Sequence, residues 1–121
     1  MTKKILIIDD EEGIRESLKL ILEDHYSLIT SENGPLALEM IENDKDHTLG
    51  LVLLDIKMPK IHGLETLKLI KEKRPELPVI MVTAYKSVEI AVEATKLGAS
   101  GYIVKPFKSD EILNIAKLKM L

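Results

Sequence analysis

The sequence predicts an α/β domain with a doubly wound, mainly parallel five-stranded sheet flanked by five helices, and three observations predict it. Four short runs, Ile5-Leu6-Ile7-Ile8, Leu51-Val52-Leu53-Leu54, Val79-Ile80-Met81-Val82 and Tyr102-Ile103-Val104, are apolar at every position. Strands of that kind are covered on both faces, as parallel strands are when helices flank the sheet. Segments of helical spacing lie between the runs, so that strand and helix alternate along the chain. Finally, 121 residues with 45% hydrophobic content suit one compact core and leave no room for a second. The expectation is therefore a single domain over residues 1–121.

The elements follow in order. Met1-Thr2-Lys3-Lys4 leads straight into the first strand rather than into a signal-peptide core. Ile14, Leu18, Ile21 and Leu22 fall on one stripe of the first helix, and Glu11 and Glu12 suit its positive N-terminal end. Tyr26-Ser27-Leu28-Ile29-Thr30 mixes polar and apolar positions and suits a strand at the sheet edge. The second helix opens at Gly34-Pro35, with proline near the first helical position, and carries Ala37, Met40 and Ile41 on its inner side. The long polar connection from Glu42 to Leu49 shows no recognisable chemistry. Gly63 precedes a third helix carrying Leu64, Leu67 and Ile70, which ends before Pro75 and Pro78. In the fourth helix, Val88, Ala91, Val92 and Thr95 form a small-residue stripe closed by Gly98 as a left-handed cap. Ser109 is the expected cap of the last helix, which carries Ile112, Ile115 and Ala116, with Lys117 and Lys119 near its negative end. Right-handed crossovers would place these helices on both faces of the sheet.

Composition narrows the function. A net charge of -3 with mixed signs along most helices argues against direct nucleic-acid binding, which needs a local excess of Lys and Arg. There is no apolar run long enough to cross a bilayer. The absence of cysteine excludes disulfides and thiolate metal sites and fits a reducing compartment, so cytoplasm is the default.

In open parallel sheets, ligands bind beyond the carboxyl ends of the strands. The first strand ends in Asp9-Asp10, the third in Asp55, the fourth in Thr83 and the fifth in Lys105-Pro106. Each alone has an ordinary explanation: an Asp capping the next helix, a Thr ending a strand, a solvated Lys. Together they place three carboxylates, a hydroxyl and an ammonium on one rim. Adjacent carboxylates repel, and a hard divalent cation such as Mg²⁺, which takes oxygen ligands and retains water, relieves the repulsion. His25, His47 and His62 are scattered and read as surface residues. A metal and Lys105 to neutralise transferring oxygens, with Thr83 as hydrogen-bond donor, is equipment for phosphoryl transfer, and Asp55 is then the nucleophile. No Gly-rich nucleotide loop is present, so bound ATP is not the expected donor.

The strings Ile7-Ile8-Asp9-Asp10-Glu11, Leu53-Leu54-Asp55-Ile56-Lys57-Met58-Pro59, Val82-Thr83-Ala84-Tyr85 and Val104-Lys105-Pro106-Phe107, in this order and spacing, closely resemble the receiver domains of bacterial two-component response regulators. The resemblance implies a flavodoxin-like fold with strand order 2-1-3-4-5 and phosphoryl transfer to Asp55 from a histidine kinase or phosphotransfer protein. It implies Mg²⁺ held directly by Asp10, Asp55 and the backbone carbonyl of Lys57, with Asp9 acting through water. Thr83 and Tyr102 would be the moving switch residues, Lys105 would pair with the phosphoryl group, and the bond to Pro106 would be cis. For Tyr102 the plainer reading is a half-buried strand aromatic with its hydroxyl in water. The fourth helix, fifth strand and fifth helix would carry the response and a dimer contact. Residues from Val82 to Ala99 look most like the NtrC type, whose receivers control sigma-54-dependent ATPases. The chain reads as a stand-alone regulator or as the front of a longer protein with an effector domain controlling, for example, transcription.

Two departures stand out. His62 occupies the position before Gly63 where the family most often has Asp or Asn, so the cap of the third helix must be weaker or supplied differently. Lys57, two past Asp55, and Tyr85, two past Thr83, sit where the family varies, and they are expected to alter the lifetime of a phosphoaspartate. Two other readings compete: a metal-dependent phosphohydrolase using Asp55 or Asp9, for which the chain lacks an inserted substrate cap, and a pseudo-receiver that binds without switching.

Overall fold

Successive residues of a strand point to opposite faces, so a run that is apolar throughout builds two cores at once. The computed structural model, which describes residues 3–57 and 62–120, has this arrangement; Met58 and Pro59 of the string around Asp55 lie outside the described residues. The elements are β1 (Lys4–Ile8), α1 (Glu12–Leu22), β2 (Ser27–Ser31), α2 (Gly34–Glu42), β3 (Leu49–Leu54), α3 (Gly63–Lys73), β4 (Val79–Thr83), α4 (Val88–Lys96), β5 (Gly101–Val104) and α5 (Ser109–Lys119). All strand pairs are parallel, in the order β2-β1-β3-β4-β5, as expected. Leu6, Ile8, Val52, Leu54, Val79 and Met81 bury one face against α2, α3 and α4 through Ala37, Ile41, Leu67, Ile70 and Ala94. Ile5, Ile7, Leu51, Leu53, Ile80, Val82 and Ile103 bury the other against α1 and α5 through Leu18, Leu22, Ile112 and Ala116. The weaker strand, β2, lies at the edge.

Three local expectations change. In α4 the stripe of Val88, Ala91, Val92 and Thr95 faces outward: Val88 is 78% and Val92 47% exposed, while Ile90, Ala94 and Leu97 pack on the sheet. This helix carries apolar residues on two sides, and its docking, not its periodicity, selects between them. Gly98 does close the helix in the left-handed region, at φ 106°. Its N–H donates to the Thr95 carbonyl and that of Ala99 to the Ala94 carbonyl, each at 3.0 Å, which satisfies two terminal acceptors. At α5 the cap is not Ser109, which is already the first helical residue; Lys108 precedes it, and the Glu111 carboxylate accepts the Lys108 N–H at 3.0 Å. An ammonium has no acceptor to offer, so only this return bond of a capping box forms.

The third change lies in the connection from Glu42 to Leu49, which holds a structural lock. The Asp44 carboxylate accepts the Thr48 hydroxyl at 2.6 Å, the Thr48 N–H at 2.9 Å, the Leu49 N–H at 3.0 Å and the Arg74 guanidinium at 3.2 Å. Arg74 is buried and also pairs with Glu76. Burial alone would raise the Asp44 carboxyl, but the bonds from Thr48, Leu49 and Arg74 outweigh it and hold the group well below the usual carboxylate range.

Gly63 and His62 shape the start of α3. A Cβ on Gly63 would sit 2.2 Å from the Asp55 carbonyl oxygen and 2.4 Å from the Ile56 Cα, so only glycine lets α3 approach the end of β3. Its N–H donates to the Ile56 carbonyl at 2.7 Å. The cap is supplied differently from an Asx residue: His62 Nδ1 accepts the Leu64 N–H at 3.2 Å, which places the imidazole proton on Nε2.

Replacing Asp44 with Ala is expected to lower unfolding free energy by about 2–3 kcal/mol, because it strands backbone donors and a buried guanidinium. The folded carboxyl lies below its unfolded value, so its contribution is present above that value and is lost as pH falls toward the folded one. The gap between wild type and Asp44→Ala in urea denaturation should therefore narrow below about pH 4. Replacing His62 with Ala should cost about 1 kcal/mol, whereas His62→Asn should keep the cap; thermal denaturation of both variants checks this.

Candidate functional site

Because the strands are parallel, their carboxyl ends share one rim, and the register aligns Ile8 with Leu54 and Thr83 with Val104. The residues just past those ends are thereby brought together. Asp9 and Asp55 are 2% and 3% exposed, Thr83 is fully buried, and the Lys105 side chain is 10% exposed. Lys105 Nζ donates to Asp9 Oδ2 at 2.9 Å and to Asp55 Oδ2 at 3.0 Å, and lies 3.5 Å from Glu11 Oε1. The second oxygens are also held: Asp9 Oδ1 accepts the Glu11 N–H at 2.9 Å, and Asp55 Oδ1 the Lys57 N–H at 3.3 Å. Asp10, Glu11 and Lys57 are exposed at the mouth. An open cavity of ≈ 490 Å³ is lined by Asp10, Glu11, Asp55, Lys57, Thr83, Ala84, Tyr85 and Lys105.

The charges are not balanced. Burial raises the Asp9 carboxyl, and the bonds from Lys105 and the Glu11 N–H do not fully offset it, while the Asp55 charge adds to the rise. Burial would lower the Lys105 ammonium, but its bonds to Asp9 and Asp55 outweigh that and hold it above the ordinary lysine range. Asp9, Asp10, Glu11 and Asp55 can each present an oxygen, all within 4.8 Å of one another, while among the described residues the only cation that pairs with these carboxylates is Lys105, so the cluster is short of positive charge. The donors are all hard oxygens, and His25, His47 and His62 are exposed and outside the cluster, so these residues fit a hard divalent cation.

On the far side of the cavity, Thr83 Oγ1 accepts the Tyr85 N–H at 3.5 Å, and the Tyr102 hydroxyl donates to the Tyr85 carbonyl at 2.8 Å. Tyr102 is half-buried, but its hydroxyl is therefore engaged by the loop after β4 rather than simply left to water. Burial first, then the charges of Asp55 and Tyr85, hold its phenol above the ordinary range. The Lys105-Pro106 peptide is cis.

Two neighbours of the site escaped the sequence reading. Glu11 was assigned to the helix dipole, although a third acid directly after Asp9-Asp10 signals a larger acidic cluster. Arg15 donates from Nη1 to the Asp9 backbone carbonyl at 2.7 Å, a contact that no spacing of residue types announces.

Among the described residues, no helix is long and apolar enough to cross a membrane. Comparison with known proteins agrees with the geometry. Residues 5–117 match the response regulator receiver domain family. The chain is 37% identical over 114 residues to the transcriptional regulatory protein YdfI of Bacillus subtilis, covering 92% of this chain and 52% of that protein. It is 40% identical over 109 residues to the transcriptional regulatory protein ZraR of Klebsiella oxytoca, covering 89% of this chain and 24% of that protein. The chain thus spans about half of one curated relative and about a quarter of the other. Regulators of the NtrC type are among its relatives, in keeping with the segment after Val82. A CheY-like receiver domain from Methanospirillum hungatei superposes with a TM-score of 0.92 at 37% identity, covering 99% of this chain and 94% of that one. Five parallel strands in this order, the shared rim and the matched length together place the chain in the receiver domain family of two-component response regulators.

Proposed function

We propose that this domain, taken as residues 1–121, is switched by a phosphoryl group on Asp55, donated by the phosphohistidine of a sensor kinase or phosphotransfer protein. The observation that carries the reading is the Lys105 ammonium within 3.0 Å of both Asp9 and Asp55 on a rim of four carboxylates. An Asp55 oxygen attacks phosphorus, the P–N bond breaks, and its electron pair returns to the donor imidazole, leaving an acyl phosphate on Asp55. Bound Mg²⁺, held by Asp10, Asp55 and the Lys57 carbonyl with Asp9 through water, would neutralise charge on the transferring oxygens. Lys105 exchanges its bond to Asp55 for one to the new phosphoryl group. Thr83 donates its hydroxyl to the same group and gives up the Tyr85 N–H.

That exchange supplies the output. Thr83 and Tyr102 both grip Tyr85, so moving Thr83 disturbs the loop leading into α4. The phosphoryl charge then shifts the population toward a second arrangement of α4, β5 and α5. The outward Val88 and Val92 support that surface as the one read by a partner or a second copy. The names of YdfI and ZraR support transcription as the regulated process, through an effector region outside this sequence. A cytoplasmic, regulatory role without multiple turnover fits this chemistry.

Incubation with Mg²⁺ and acetyl phosphate should add one phosphoryl group by intact mass spectrometry, and Asp55→Ala should abolish it. Lys105→Ala should slow labelling by about 10²–10³-fold, the usual effect of losing one aligned electrostatic donor. No adduct on the wild type, an undiminished adduct in Asp55→Ala, or turnover of phosphate esters without labelling would refute the proposal. Lys57 and Tyr85 line the cavity mouth, so replacing both with Ala should admit water and shorten the phosphoryl lifetime. An unchanged lifetime, followed by the decay of the labelled mass, would exclude that role.

A further inference from the structure

We infer that Arg15 is a positioning residue for the Asp10 carboxylate, acting through the backbone carbonyl of Asp9. The inference rests on the proposal above that the acidic rim holds a divalent cation.

Asp9 is held at four points. Its N–H donates to the Ser31 carbonyl at 3.1 Å, Oδ1 accepts the Glu11 N–H, and Oδ2 accepts Lys105. Those contacts fix its side chain and the peptide that precedes it. Its carbonyl belongs to the next peptide, the one joining Asp9 to Asp10, and that carbonyl accepts Arg15 Nη1 at 2.7 Å. A guanidinium bond of that length is charge-assisted and about twice as strong as a neutral one.

Asp10 depends on this peptide more than its neighbour does. It is exposed, and among the described residues no hydrogen bond holds its carboxylate. Asp9 would keep its place through Lys105 and Glu11 if the carbonyl were released, whereas Asp10 takes its direction from the plane of the peptide before it. Arg15 is well placed to set that plane. Its own N–H is bonded to the Glu11 carbonyl at 3.1 Å at the start of α1, so the guanidinium is anchored on the helix that leaves the rim. It also brings a second positive charge behind a rim that is short of it. Partners that hydrogen-bond a metal ligand without touching the ion typically account for about 10–100-fold in metal affinity, and a hold on the peptide before the ligand belongs at the low end of that range.

The test compares Arg15→Met, which keeps an apolar stem without a donor, with Arg15→Lys, which restores one charged donor. Mg²⁺ affinity is measured by isothermal titration calorimetry, and acetyl phosphate labelling is followed against Mg²⁺ concentration. In Arg15→Met the Kd and the half-saturating Mg²⁺ concentration should both rise about tenfold. The labelling rate at saturating Mg²⁺ should stay near wild type, the Tm in EDTA should fall only by the several degrees that one lost charge-assisted bond costs, and Arg15→Lys should recover most of the affinity. An unchanged Kd in Arg15→Met, or a fall in saturated rate without a change in Kd, would overturn the inference. If Arg15→Met does not fold, the Arg15→Lys protein decides: affinity near wild type supports the donor role, and a full tenfold loss with a wild-type Tm opposes it. A wild type that neither binds Mg²⁺ nor takes a phosphoryl group overturns the functional proposal itself, whatever the variants do.

Discussion

One ammonium shared by two buried carboxylates is the interaction on which the rest of this structure turns. Lys105 directly follows the last strand, Asp9 the first and Asp55 the third, so the triad forms only when β1, β3, β4 and β5 are assembled side by side. Burying an unpaired carboxylate is costly, and burying two side by side more so. Lys105 makes the arrangement tolerable without neutralising it, since Asp9 stays pushed toward its protonated form. The rim is thus stable enough to fold and negative enough to favour added positive charge. A site in that condition is prepared for chemistry, because its buried hydrogen bonds are made while its negative charge is left in excess.

Such a rim needs a scaffold that does not deform to relieve it. The two apolar layers provide one, with fully buried strand residues on both faces. At the opposite ends of the strands, the Asp44 carboxylate ties the entry of β3 to Arg74 after α3, thirty residues away. At the site itself, the missing Cβ of Gly63 lets α3 pack directly against the Asp55 and Ile56 backbone. The loop after β4 is held more lightly, by the Tyr102 hydroxyl and a long bond to Thr83. The contrast supports the proposal that this loop and α4 move while Asp55 stays in place.

The apolar runs and the polar residues directly after them are local properties of the chain. They were enough to determine five parallel strands, helices on both faces and the gathering of Asp9, Asp10, Asp55, Thr83 and Lys105 at one rim. An apolar run of only three or four residues bounded by polar ones is too short for a buried helix, and a parallel sheet sends all its carboxyl ends one way. Position after a strand therefore carried the site before any coordinate did. The left-handed turn at Gly98 was legible for the same reason, since that backbone region favours glycine.

Tertiary structure alone decided what depends on partners distant in sequence or on backbone atoms. Two sides of α4 are apolar, and only packing shows that Ile90, Ala94 and Leu97 go inward while Val88 and Val92 remain outside. The Asp44 lock joins a polar loop to an arginine with no spacing rule between them. The grip of Arg15 on Asp9 and of Tyr102 on Tyr85 are bonds from side chains to carbonyls, which every residue possesses. A sequence displays which side chains are available, but a backbone acceptor has no letter of its own, so these contacts become visible only when the chain is folded.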